Sequence, residues 1–385
     1  MLEHAKRKTE ELQRRMHDEN IELAVFTDES SIAYLAGFWG YLGVEFGRPT
    51  LLVVRRNGAP TVITPLMESE MVSAMTWVED VRVWEDAGQR NWGRVLAEVV
   101  GSAPDEIWVE RNSIPAIVRN FLDDTFSASP LRDISPVLGG MRMIKTEFEI
   151  GVMKEAGQIA GAMMEAAHDS LREGALEYES ALAVIEAGSR KAAGFLTNMG
   201  WDRFVSPMIH NLQIMQSGSD TSMVHRRAGI KPYQRYDPVY FCFCNMAQFK
   251  QYKLGFDRMF HIGDVTDEAR DVQEAAISAQ QAAIAAIRPG VPAEEVAMAA
   301  NEVYRERGYQ TGYRTGRSIG VAYLEAPELK EGDKTVLKPG MTFAVDGGIS
   351  IDGVTAGRIG DSVVVTDTGS DYITEYPRSI LLSRH

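Results

Sequence analysis

Cysteine is nearly missing: Cys242 and Cys244 are the only two in 385 residues, which excludes a disulfide-built scaffold. Long apolar runs are missing as well. No stretch reaches the roughly 18 uninterrupted apolar residues of a spanning helix, and the opening MLEHAKRKTEELQRRMHDEN is too charged for the core of a signal peptide. Basic charge is in deficit, with 40 Lys and Arg against 54 Asp and Glu for a net −14. Such a surface repels phosphate backbones and anionic lipid. The expectation is a cytoplasmic protein with no nucleic-acid or membrane partner.

What is present is the composition of a globular chain, 45% hydrophobic and 24% charged, of a length that suggests two domains. Apolar side chains recur at helical spacing from Ala5 to Asn20. The runs IELAVFTD, TLLVVRR and PTVITP then read as short buried strands, and the alternation continues to DEIWVE. This predicts an α/β domain over residues 1–140. A second domain, 141–385, opens at MRMIKTEFEI, where Thr146 and Glu149 form a capping-box pattern before a long helix. A further helix through EAAISAQQAAIAAI stops at Arg288-Pro289-Gly290, and another runs from Ala293 to Arg307. The strand-like MTFAVDGGIS and DSVVVTD follow, giving an α+β second domain. Cys242 and Cys244 share one face of a strand with Cα atoms about 6.7 Å apart, near the outer limit for a disulfide, so buried reduced thiols are expected.

The strings MRMIK, IRPGV, GRSIG, LKPGMTFAVDGGI and GRIGDSVVVTDTG occur in one order over nearly the whole chain. In that order they resemble the pita-bread family of aminopeptidase P, methionine aminopeptidase and creatinase. The resemblance implies an α/β N-terminal domain and a pita-bread C-terminal domain. Metallopeptidases of the family hold two metal ions with two aspartates, a histidine and two glutamates, because hard cations need several converging oxygens. The matched positions here are Cys242 or Phe243, Gly255 or Phe256, Leu324, Asp346 and Gly360. Only Asp346 keeps an oxygen ligand, so no metal and no cofactor are expected.

Within the family, MQSGSDTSMVH is similar to the creatinase stretch that ends in the catalytic histidine, which implies that role for His225. EFGRP is similar to the creatinase loop that supplies a phenylalanine and an arginine to the substrate pocket, implying substrate binding by Phe46 and Arg48. Asp257, in FDRMF, stands at one of the two glutamates that hold a guanidinium in creatinase, and Gly360 or Ile359 at the other. Asp257 has a bland alternative, a pair with Arg258 or a neighbouring lysine. Arg314 and Arg317 are candidate carboxylate ligands, the resemblance implies that Asp346 faces the cavity, and Asp361 beside Gly360 reads as a turn residue. Arg226 and Arg227 read as a solvated turn or as anion ligands. QFKQY with FDRMFHIG also resembles ectoine hydrolase.

Together these imply a metal-independent hydrolase of a non-peptide C–N bond in a small zwitterionic substrate, a homodimer with a shared active site. Water attacks a planar carbon and His225 moves the proton, with Asp257 catalytic and Arg317 and Asp346 binding substrate. The alternatives are an elimination in the same pocket and a non-catalytic binding protein.

Overall fold

The computed structural model describes residues 1–40, 47–86, 90–199, 204–209, 214–223, 225–244, 246–310 and 314–384. The chain divides into two compact units, Met1–Arg142 and Met143–His385.

The first unit is α/β. Its strands are β1 (Leu23–Phe26), β2 (Leu51–Arg55), β3 (Thr61–Pro65), β4 (Asp80–Trp84), β5 (Ile107–Val109) and β6 (Leu131–Asp133). They form one mixed sheet in the order β4-β3-β2-β1-β5-β6. β2 pairs antiparallel with β1 and β3, and the remaining pairs are parallel. Nearly every residue of β1 to β3 is buried, as continuous apolar runs require when a sheet is covered on both faces. Leu23, Val25, Leu51, Val53 and Ile63 pack on Val95, Leu96, Val118 and Leu122 of the helices Trp92–Val100 and Ala116–Thr125.

The second unit joins long helices to a large sheet. The helix Glu147–Ser170 starts at the expected capping box: Thr146 Oγ1 accepts from the Glu149 N–H, and the Glu149 carboxylate accepts from the Thr146 N–H at 2.9 Å. The helices Asp267–Ala286 and Ala293–Glu306 fall where the periodicity places them. A further helix, Glu177–Met199, is not anticipated from the pattern. Glycine lowers helix propensity, yet Gly188 is needed there, since a Cβ would stand 2.8 Å from Met163 Cγ of the neighbouring helix.

The strands of this unit are β7 (Ile214–Ser217), β8 (Pro238–Cys242), the short β9 (Gln248–Phe249) and β10 (Tyr252–Lys253), β11 (Asp257–His261), β12 (Gly316–Ser318), β13 (Glu325–Leu329), β14 (Thr342–Ile351), β15 (Thr355–Val365), β16 (Ser370–Tyr372) and β17 (Leu381–Leu382). The main sheet runs β13-β12-β14-β15-β11-β8-β7, with β16 on β15 and β17 on β11. In the β14–β15 hairpin the odd-numbered residues Phe343, Val345, Ile349 and Val363 pack against Ala275, Ala279 and Ala283 of the helix Asp267–Ala286. Gly347 and Gly357 permit that approach, because a Cβ on either would overlap the Ala276 or Val272 carbonyl. The even-numbered residues, among them Asp346 and Gly360, therefore face the other way.

Asp361 corrects the sequence expectation. It is not a turn residue but lies within β15, fully buried on the helix-covered face. Its carboxylate accepts from Arg258 Nη2 at 2.9 Å and from Arg378 Nε, Thr374 Oγ1 and Gln280 Nε2 at 3.0 Å. Four partners from three separate segments are what make a buried aspartate affordable, and none of them is visible in its local string.

Candidate active site

One register row crosses the sheet. Asp346 on β14 is opposite Gly360 on β15, Gly360 is opposite Asp257 on β11, Asp257 is opposite Cys242 on β8, and Cys242 is opposite Ile214 on β7. Directly opposed residues project to the same face. Two carboxylates and a thiol therefore stand side by side on the face away from the helix. Arg317 enters from β12, opposite Ala344. Gly360 makes the row possible, since a Cβ there would overlap Asp257 Oδ2 and lie 2.9 Å from Asp346 Oδ1. The carboxylates fill the space a side chain would take.

Arg317 is buried, and its Nη1 donates to Asp346 Oδ2 at 2.5 Å. Its Nη2 donates to Cys244 Sγ at 3.5 Å, and the guanidinium lies 4.4 Å from the centroid of the Tyr323 ring. Desolvation works against this cation, but the Asp346 carboxylate and the thiols outweigh it and hold Arg317 above the ordinary guanidinium range. Asp257 is only 3% exposed. Burial first, then the charges of Asp346 and Cys244, push its carboxyl well above the usual carboxylate range, with Arg258 and Arg358 offsetting only part. Burial thus favours the protonated form of Asp257 beside a carboxylate paired to arginine, so the two neighbouring acids stand in different surroundings. Asp257 Oδ1 and Asp346 Oδ1 have no hydrogen-bond partner among the described residues.

Cys242 and Cys244 are free thiols, as expected, and Cys242 Sγ donates to Cys244 Sγ at 2.7 Å. That bond, followed by burial, raises the Cys242 thiol. The same bond lowers Cys244 against the pull of burial, and Arg317 adds to the lowering. From behind the row, Arg258 Nη1 donates to the backbone carbonyls of Asp257 at 2.7 Å and Gly360 at 2.8 Å. The suggested Asp257–Arg258 side-chain pair does not form; the guanidinium turns to the helix-covered face and Asp361.

Other sequence candidates are placed as follows. Cys242 holds the row position, while Phe243 packs with Phe241 and Phe256 in an aromatic cluster. Leu324 is 56% exposed. His225 is exposed after the turn Gly218–Ser222, on a segment tied to β7 by the Gln216 side chain, which accepts from Arg226 N at 3.1 Å and donates to the Met223 carbonyl. Among the described residues, no hydrogen bond or ion pair joins His225 to Asp257 or Asp346. Arg226 is neither a solvated turn residue nor an open anion ligand, because Glu177 and Asp220 hold it at 2.5 Å and 3.1 Å. Arg314 pairs with Glu328 at 3.2 Å. In the first unit, Arg48 pairs with Asp86 at 2.8 Å, and Phe46 lies outside the described residues. Cys244 is the site residue that went unassigned, although its spacing from Cys242 already puts the two thiols on one side.

Two hard cations do not fit this donor set. Gly360 offers no ligand, Leu324 none, Cys242 a soft sulfur, and Asp346 is engaged by Arg317.

Residues 151–367 match metallopeptidase family M24, and residues 8–144 match the creatinase/prolidase N-terminal domain. The chain belongs to metallopeptidase family M24. Among curated relatives it is 28% identical over 368 residues to the agropine synthesis cyclase of Rhizobium rhizogenes, covering 89% of this chain and 88% of that one. It is 27% identical over 390 residues to the creatinase of Bacillus sp. (strain B-0618), covering 96% and 90%. The Xaa-Pro dipeptidase of Lactobacillus delbrueckii subsp. lactis is 27% identical over 369 residues, at 94% of both chains. The fold superposes on a recombinant prolidase from Thermococcus sibiricus with a TM-score of 0.85 at 24% identity, over 98% of both chains. This confirms the α/β N-terminal domain and the pita-bread C-terminal domain. No helix among the described residues is long and apolar enough to cross a membrane.

Proposed function

We propose that the protein is a hydrolase of a non-peptide C–N bond in a small zwitterionic compound, working without the hard two-metal centre of the family's peptidases. The observation that carries this is the pair of unpartnered carboxylate oxygens, Asp257 Oδ1 and Asp346 Oδ1, on the row that Arg317 closes at one side. Two such oxygens suit the N–H groups of an amidinium or guanidinium, and Arg317 at the rim suits an anionic group. Likeness to a creatinase over about nine-tenths of both chains supports a non-peptide substrate.

In the proposed reaction, water attacks the planar carbon between the nitrogens. His225 accepts a proton from that water, and Asp257, whose burial favours the proton-bearing form, donates one to the departing nitrogen as the C–N bond breaks. The water oxygen remains on carbon, and its proton on His225 restores Asp257. Asp346 and Arg317 orient the substrate. The creatinase resemblance assigns Phe46 and Arg48 to the substrate carboxylate, in a homodimer whose sites are shared. The cyclase relative favours a second reading, ring closure or elimination on a small zwitterion with His225 removing a proton.

A thermal-shift screen of guanidino acids, cyclic amidines such as ectoine, hydantoins and betaines tests the proposal. Ligand at 100 times its dissociation constant adds ~2.7 kcal/mol of stability. The expected hit is an amidine or guanidine that stabilises the wild type but not Asp257→Asn. Its product, formed in ¹⁸O-water, carries the label on carbon if the reaction is hydrolysis and lacks it if the reaction is elimination. A ligand returned unchanged after long incubation would rule out both.

A further inference from the structure

The C-x-C pair beside Asp257 is used by neither reading of the reaction. Cys242 Sγ, Cys244 Sγ and a carboxylate oxygen of Asp257 lie within 4.8 Å of one another. Asp257 is nine-tenths buried or more, and its Oδ1 has no partner. We propose that Cys242, Cys244 and Asp257 form a mononuclear site for a thiophilic divalent cation of the zinc and cadmium type. This is not the family's oxygen-ligated pair of hard ions.

Chemistry and geometry both select the softer ion. Thiolates favour zinc-like over magnesium- or manganese-like cations, and three protein donors leave a tetrahedral ion one open position. Two sulfurs on one tetrahedral ion at about 2.3 Å stand about 3.8 Å apart, against 2.7 Å here. The pair therefore opens by about 1 Å on binding. Cys244 lies past the end of β8 and is only half-buried, so the β8 ladder does not fix its position. The neighbouring Arg317 offsets part of the negative charge that two thiolates and a carboxylate would gather. Occupation takes the Asp257 carboxylate, so the ion should act as an inhibitor; that consequence alone rests on the proposed function.

The test is titration of the reduced, chelator-stripped, full-length protein with cadmium, followed by the ultraviolet thiolate-to-cadmium charge-transfer band, with cobalt(II) as a second probe. One ion per chain is expected. Cys242→Ser and Cys244→Ser should each weaken binding at least about 100-fold, the upper end of what losing a mere outer-shell partner does. Asp257→Asn should keep a thiolate band but bind more weakly, which covers the case of a serine variant that fails to fold. No charge-transfer band at stoichiometric cadmium, or equal affinity in all three variants, would overturn the site. So would manganese binding tighter than cadmium and indifferent to the cysteines. Because the readout is the ion itself, these results stand apart from any failure to find turnover.

Discussion

Gly360→Ala probes the row where it is tightest. The added Cβ would overlap Asp257 Oδ2 and come within 2.9 Å of Asp346 Oδ1, and the overlapped Asp257 carboxylate is buried. Asp257 is 3% exposed with its backbone carbonyl clamped by Arg258, and Asp346 is tied to Arg317. Overpacking of this kind costs about 1–3 kcal/mol. In a unit of this size each kcal/mol is worth about 2–4 °C of Tm, so a fall of roughly 2–12 °C is expected by calorimetry. The mechanism is isolated by repeating the substitution in Asp257→Ala. With the overlapping carboxylate gone, most of the cost of Gly360→Ala should disappear, giving a coupling of about 1–3 kcal/mol between the two positions. Equal losses in both backgrounds would show that Gly360 and Asp257 do not compete for one space.

Three further outcomes are expected. His261 on β11 is fully buried with neither ring nitrogen hydrogen-bonded among the described residues, and burial, helped by Arg270, holds its pKa down to about 4. The unfolded chain then binds the extra proton between pH 6.5 and about 4, so stability is complete above pH 6.5 and falls as pH drops, by about 2 kcal/mol at pH 5. His261→Leu should flatten that limb in urea unfolding at pH about 7.5 and about 5; parallel wild-type and variant curves would refute it. Arg258→Met leaves Asp361 short of a buried partner and frees two carbonyls of the site row, and should cost about 3–5 kcal/mol; a loss under about 1 kcal/mol would remove the clamp from the account. Mixing His225→Asn with Arg48→Ala subunits under exchange should restore activity to one pocket per heterodimer, and continued inactivity despite proven exchange would sink the shared site.

Local signals carried the frame of the molecule. Thr146 and Glu149 show a helix start because the capping box needs only residues three apart, and β1 to β3 show themselves as apolar runs. Little of the site was legible in local signals. Asp346 and Asp257 enter only through the family resemblance, and the choice between Cys242 and Phe243 needs the β8–β11 register, since a slip of one residue reverses the face. Arg226, which the sequence leaves open, and Asp361, which reads as a turn residue, are illegible locally for one reason: their partners, Glu177 and Asp220 for one and Arg258 and Arg378 for the other, include residues far away in sequence. Gly360 beside Asp361 looks like turn chemistry, yet a glycine inside a strand also marks a close approach, and here the approach is that of Asp257.

The most direct measurement is turnover by chelator-treated protein of the amidine or guanidine found by thermal shift, run beside Xaa-Pro dipeptides with added manganese or cobalt. The account predicts that the stripped enzyme turns over the small zwitterion at its full rate, that Asp257→Asn lowers the rate by about 10²–10⁴-fold as loss of a general acid does, and that dipeptides are left intact under either condition. Dipeptide cleavage that appears with manganese or cobalt and disappears on chelation would contradict it.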